Sequence, residues 1–149
     1  MTGERIPIAA DHAGYEMKER LQRVMRDLGY DVEDLGTHST AASDYPDFAH
    51  PLARMVSSGE VRRGVLLCGT GLGMGYVANR YPHVRAAVVW SRQVAELARS
   101  HNDANVLVLP SRCISDEEAV AILTAFLDTP FDGGRHERRV EKIETEEDA

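Results

Sequence analysis

The strongest constraint on what this chain can fold into is an alternation between two apolar periods. Short unbroken runs rich in Val, Ile, Leu and Ala occur at Ile6–Ala10, Val32–Leu35, Gly64–Leu67, Val84–Val89 and Val106–Leu109. Continuous rather than alternating hydrophobicity marks strands covered on both faces. Between these runs lie helical stripes. Met17, Leu21, Val24, Met25 and Leu28 share one face, with Lys18, Arg20, Arg23 and Arg26 outside it. Phe48, Leu52, Met55 and Val56 repeat the spacing, as do Ala119, Ile122, Leu123, Phe126 and Leu127. Gly29, Gly59 and Thr129-Pro130 supply the stops.

Strand–helix repetition with short links predicts right-handed crossovers and a parallel sheet between two helix layers. The 149 residues suit one domain spanning 1–149, and no repeat or low-complexity linker divides them. From Arg135 a weak stripe (Val140, Ile143) predicts a short helix, and the acidic segment from about 141 is expected to fray. In such open sheets ligands bind beyond the carboxyl ends of the strands. That directs attention to Asp11–Gly14, Gly36–Asp47, Cys68–Gly75, the residues from Ser91, and Pro110–Arg112.

Composition narrows the partners. Seventeen Lys and Arg against 24 Asp and Glu leave a net charge of −7, which argues against a basic footprint for duplex DNA or an anionic membrane. Five acids and one Lys fall between Glu141 and Asp148, so the remainder carries only −3 (16 minus 19). Two cysteines without CxxC spacing make a thiolate zinc site an unattractive reading. The first residues lack the apolar run of a signal peptide, and no stretch approaches the roughly 20 residues of a membrane span. The expectation is a soluble cytoplasmic protein with reduced thiols.

The segment Gly64–Arg80 carries the clearest chemistry. A strand ends at Cys68, glycines alternate at 69, 71, 73 and 75, and a helix is expected to follow. Glycines let backbone N–H groups crowd around an oxyanion, and a helix start adds partial positive charge. A Walker A loop lacks its Lys, and Met74 occupies the position where G-x-G-x-x-G needs Gly and where a phosphatase loop needs Arg. What remains is an anion cradle with a thiol at its lip. Cys68 is either a small buried hydrophobe or a base favoured as thiolate by nearby N–H dipoles. Asp11-His12 ends the first strand and would sit beside the cradle if the two strands are neighbours; the plainer alternative is a capping Asp with an exposed His. His101-Asn102 lies in a polar turn before the last strand, and His101 acts as acid or base only if it faces the same crevice. Arg112 follows the last strand, and Arg135 and Arg139 stand four apart, a spacing that can clamp one phosphate as readily as it can sit solvated.

Taken together, Asp11-His12-Ala-Gly14, Asp44-Tyr-Pro-Asp47, Cys68-Gly-Thr-Gly-Leu-Gly73, Ala78-Asn79, His101-Asn-Asp-Ala-Asn105, Ser111-Arg112 and Gly133-Gly-Arg-His136 with Arg139 resemble the type B ribose-5-phosphate isomerase family, which also includes galactose-6-phosphate isomerase subunits. The resemblance implies a three-layer α/β/α sandwich on a five-stranded parallel, Rossmann-like sheet. It implies a homodimer, or a tetramer built from it, with active sites at the interface and no metal or other cofactor. The implied reaction interconverts ribose 5-phosphate and ribulose 5-phosphate through a cis-enediolate. Cys68 matches the base and His101 the ring-opening acid/base, with Thr70 beside them. Asp11, His12 and Asn102 match sugar contacts, and the backbone from Gly69 through Thr70, Gly71 and Leu72 to Gly73 matches the enediolate cradle. Arg112, Arg135 and Arg139 match phosphate ligands, some groups coming from the partner subunit.

Some relatives lack this Cys and carry a Glu at the position of Met74; Met cannot take a proton, so here the burden falls on Cys68. Many relatives also read roughly Ile-Ser-Ile-Ala-Ala-Asn-Lys where this chain reads Met74-Gly-Tyr-Val-Ala-Asn-Arg80. Gly75, Tyr76 and Trp90 therefore bear on sugar length, leaving a tetrulose 4-phosphate or hexose 6-phosphate as alternatives with the same chemistry. A non-catalytic sugar-phosphate-binding module, or a flavodoxin-like nucleotide domain, are the readings from other classes.

Overall fold

A computed structural model describes residues 3–148; Met1, Thr2 and Ala149, the ends of the expected single domain, lie outside the described residues. Five strands, β1 (Arg5–Ala10), β2 (Asp31–Asp34), β3 (Gly64–Cys68), β4 (Ala86–Val88) and β5 (Val106–Pro110), form one parallel sheet in the order β2-β1-β3-β5-β4. Six α-helices join and follow them: α1 (Tyr15–Asp27), α2 (Tyr45–Ser57), α3 (Leu72–Ala78), α4 (Arg92–Ser100), α5 (Asp116–Asp128) and α6 (Arg135–Glu141).

Because parallel crossovers are right-handed, the direction of each step across the sheet decides the face its helix covers. The steps β1 to β2 and β4 to β5 run one way, and α1 and α4 share a layer with α5 around Leu21, Met25, Ala95, Ile122 and Phe126. The steps β2 to β3 and β3 to β4 run the other way, and α2 and α3 cover the opposite face around Leu52, Val56, Met74 and Ala78. The inner strands are buried apart from Arg5, as unbroken apolar runs require. The edge strands β2 and β4 are only partly covered, a departure from two-sided burial that follows from having one neighbour each.

Helix termini follow the stops seen in the sequence. Gly29 and Gly59 adopt φ of 97° and 82° just beyond α1 and α2, and Thr129 caps α5, which begins with a Ser115–Glu118 capping box. One expectation needs correction. Lys18, outside the apolar stripe of α1, is fully buried. Its Nζ lies 2.9 Å from both Asp34 oxygens and 3.1 Å from Glu19, the pairing a buried ammonium demands. The acidic tail touches the loop before β4. Glu144 accepts the His83 amide at 2.9 Å, and a 3-10 turn covers Glu146–Asp148. No helix among the described residues is long and apolar enough to cross a membrane.

Candidate active site

Beyond β3 the chain turns toward the α2/α3 layer, whereas the chains leaving β1 and β5, the neighbours of β3, turn toward the other layer. The parting opens a cleft of about 290 Å³ over the carboxyl end of β3, lined by Asp11, His12, Tyr45, Cys68, Thr70 and Arg112 among others. Cys68 is the last residue of β3 and is 5% exposed; it and Cys113 are both free thiols. Its carbonyl accepts the Ser111 amide at 2.9 Å, and the Gly69 carbonyl accepts the Arg112 amide at 2.9 Å. Ser111 Oγ lies 2.9 Å from the Ala13 carbonyl and 3.2 Å from that of Cys68, so one hydroxyl bridges the loops after β1 and β3.

Backbone geometry places the cations and rings around this thiol. A side chain on Gly69 would meet Arg112 Nη1 at 3.0 Å, so the guanidinium lies directly over the Gly69 peptide. Gly71, at φ 77°, caps α3 in the left-handed region. Gly73 has no room for a Cβ because Tyr45 Cε1 would stand 2.5 Å from it. The first intrahelical bond of α3 runs from the Gly75 amide to the Gly71 carbonyl at 3.0 Å. The amides from Gly71 to Met74 therefore have no helical acceptor, and Thr70 Oγ1 takes that of Leu72 at 3.3 Å. Met74 is wholly buried in the α2/α3 core.

His12 is held by a reciprocal pair: its amide donates to Ser43 Oγ at 3.1 Å, and the Ser43 amide donates to His12 Nδ1 at 3.1 Å. An Nδ1 that accepts leaves the ring proton on Nε2, so the neutral imidazole is a donor to whatever fills the cleft. Asp11 Oδ1 accepts the Ala13 and Gly14 amides at 3.0 and 3.2 Å, which fixes the turn into α1 and makes its role partly the structural one weighed from sequence. Ser43, Tyr45 and Ser111 join the site although no periodicity marks them; Tyr45 and Ser111 stand in the Asp44–Asp47 and Ser111-Arg112 motifs without a role assigned to them, and Ser43 has only its place in the Gly36–Asp47 loop. Tyr76 lines the cleft, Gly75 packs against Val88, and Trp90, 60% exposed, is not part of the lining.

The structure does not bring the other predicted residues to this cleft within one chain. The helix α4 starts at the carboxyl edge of the sheet and runs back, so His101, its C-cap, and Asn102 lie at the amino end. The five residues of β3 separate the two ends by about 15 Å. Arg135 and Arg139 are exposed on α6, which docks on this same end: the Asp132 amide donates to the Ser100 carbonyl at 3.0 Å, and the His136 ring stacks on His101 with centroids 4.2 Å apart. Partial desolvation, then His101 and Arg135, hold the His136 imidazole below its usual 6.5. A larger cleft of about 430 Å³ near this end is lined by Arg63, Arg85 and Arg99. These guanidiniums are engaged by Glu4, Asp103 and backbone carbonyls, which marks them as structural.

A thiol, a glycine turn and an arginine gather over the central strand of an open parallel α/β sheet, at the topological switch point where sheets of this class hold their ligands. The chain belongs to the Ribose/Galactose Isomerase family, whose model matches residues 6–143, and it is an isomerase by that membership. It is 40% identical over 140 residues to ribose-5-phosphate isomerase B of Escherichia coli (strain K12), covering 94% of both chains. Among solved structures, it superimposes on a ribose 5-phosphate isomerase from Thermotoga maritima with a TM-score of 0.90 and 52% identity, covering 94% of this chain and 97% of that one. The ribose-5-phosphate isomerase B of Mycoplasma genitalium with bound ribulose-5-phosphate gives a TM-score of 0.90 at 42% identity, covering 93% of each.

Proposed function

We propose that this protein interconverts ribose 5-phosphate and ribulose 5-phosphate, as a single-domain cytoplasmic enzyme of pentose phosphate metabolism. The observation that carries the reading is the buried Cys68 thiol at the lip of the Gly69–Gly73 turn, with Arg112 and a donor His12 in the same cleft. Cys68, as thiolate, removes the proton from C2 of the open-chain aldose. The resulting cis-enediolate is stabilised by backbone amides of Gly69–Gly73, and Thr70 contacts it at the rim. The same thiol returns the proton to C1 while the hydroxyl proton passes from O2 to O1, so atoms and charge balance. Met74, buried and aprotic, offers no alternative base.

His101, Asn102, Arg135 and Arg139 enter this scheme from a second copy of the chain. They lie at the wrong end of the sheet to reach their own Cys68, but a twofold partner presents them to it. In that arrangement His101 of one subunit opens the furanose ring over Cys68 of the other. Asp11, His12 and Asn102 hold the sugar hydroxyls, and Arg112 with Arg135 and Arg139 receives the phosphate. A functional pair of half-sites also explains why two exposed arginines form no ion pair among the described residues.

The test combines two inactive variants. Cys68→Ala should nearly abolish turnover while sugar-phosphate binding remains measurable. Mixing Cys68→Ala and His101→Ala chains should restore about a quarter of wild-type activity, because half the dimers are mixed and each holds one intact site. Full turnover in Cys68→Ala removes the base; no recovery on mixing removes the shared site. Tyr76 in the cleft favours a second reading, the same chemistry on a sugar phosphate of four or six carbons. Comparing kcat/KM across such a panel decides between them, and no turnover of any member would leave a binding module.

A further inference from the structure

We propose that His101, Asp132 and His136 form a site for a divalent transition-metal ion, Zn²⁺ or one of similar preference, whose occupation blocks the sugar-phosphate site. The binding half of this inference stands on geometry alone, and the blocking half rests on the role given to His101 above. One ligand atom from each residue lies within 4.8 Å of the others. The two imidazoles are stacked with centroids 4.2 Å apart at an interplanar angle of 13°; this brings ring nitrogens near one another, and rotation of one ring about its side-chain torsions lets both in-plane lone pairs meet one ion.

The backbone builds this arrangement. His101 is fixed at the end of α4 by its amide bond to the Leu97 carbonyl at 2.9 Å, and Asp132 is tied to the same helix through Ser100. Gly133 and Gly134, at φ 67° and 55°, turn the chain sharply, so that the first turn of α6 carries His136 over His101. Neutral imidazoles with one carboxylate are the donor set of open tetrahedral zinc sites, which keep the fourth position for water or ligand. Metal–ligand bonds of about 2.0–2.2 Å need the three atoms to close to roughly 3.3 Å of each other, a movement within reach of side chains that are exposed or only half-buried. Arg135 works against a cation here and Asp132 for it, so the carboxylate is the ligand on which affinity should depend most. An ion on His101 occupies the lone pair that proton transfer needs.

Zinc also seeks thiolates, and the experiment separates the two destinations. Zn²⁺ is titrated calorimetrically into the full chain in phosphate-free buffer, with Co²⁺ spectra in parallel, for wild type, Asp132→Asn and Cys68→Ala. We expect one ion per chain, no thiolate charge-transfer band, binding retained in Cys68→Ala, and affinity at least about tenfold weaker in Asp132→Asn. Asp132→Asn should keep the metal-free activity, and the zinc concentration that inhibits turnover should rise by the same factor. Absence of binding, equal affinity in Asp132→Asn, or loss of binding in Cys68→Ala overturns the site. Binding with the expected Asp132 dependence in a protein that turns over no sugar phosphate would uphold the metal site and sink the blocking role together with the isomerase reading. Turnover without zinc binding would do the reverse.

Discussion

Replacing Asp34 by Asn isolates the value of the one fully buried ammonium in the protein's described core. Asn keeps an oxygen for the Gly36 amide, which Asp34 Oδ1 now accepts at 2.9 Å, and removes the charge facing Lys18 together with the Oδ2 acceptor that Lys18 and Gln22 share. Nζ is then left with Glu19 at 3.1 Å, a carboxylate 33% exposed and hence weakly coupled. Stranding one member of a buried pair costs about 3–5 kcal/mol, and the surviving Glu19 puts this case near 3 kcal/mol. For a chain of this length that is a fall in Tm of roughly 6–12 °C. Urea and thermal unfolding of the single variant, and of Lys18→Met with Asp34→Asn, measure it. The double variant should recover to within about 1 kcal/mol of wild type, since no buried charge is left unpaired. A loss below about 1 kcal/mol for Asp34→Asn, the range of exposed pairs, would refute the reasoning. So would a double variant no more stable than the single.

The same pair should shape the acid limb of stability. Burial pushes the Asp34 carboxyl up, but the Lys18 ammonium and the Gly36 amide outweigh it and hold the group below its ordinary 3.8. A depressed folded-state value contributes stability that is complete above 3.8 and lost as pH falls below it, so urea midpoints should drop more steeply there in wild type than in the double variant. Ser111→Ala removes the hydroxyl shared by the Ala13 and Cys68 carbonyls and should cost about 1–2 kcal/mol in unfolding free energy. It should also lower kcat, and a change in KM alone would mean the bridge does not position the thiol. Gly73→Ala drives a methyl into Tyr45, whose ring is 38% exposed and free to swing outward. Stability should fall by only about 1 kcal/mol while KM for the sugar phosphate rises several-fold, and adding Tyr45→Ala should change KM no further.

The sheet was legible because its signal is local. Runs such as Val65–Leu67 and Val106–Leu109 are apolar at every residue, and only a two-faced strand needs that. The edges were less legible, since burial of β4 depends on having one neighbour, which no window of sequence contains. Lys18 was misplaced for a similar reason: its partner Asp34 is sixteen residues away, and the apolar stripe of α1 runs beside it. The cradle could be read from alternating glycines, yet Tyr45, whose ring needs one of them to be bare, comes from another helix. Ser43 escaped because its bond to His12 spans 31 residues. That His101 cannot face its own Cys68 was within reach of sequence, because a helix following a parallel strand must return its last residue to the sheet's opposite end.

The parting of the chain above β3 bears on how such a protein changes over evolutionary time. The cleft exists because one central strand sends its chain to the opposite layer from both neighbours, a property of strand order rather than of any side chain. Relatives that differ at about half of their positions or more therefore retain the backbone, as TM-scores of 0.90 at 52% and 42% identity illustrate. A substitution on its lining, such as Tyr76, can alter what the hollow accommodates without moving the hollow. An address written in topology leaves the occupant open to revision.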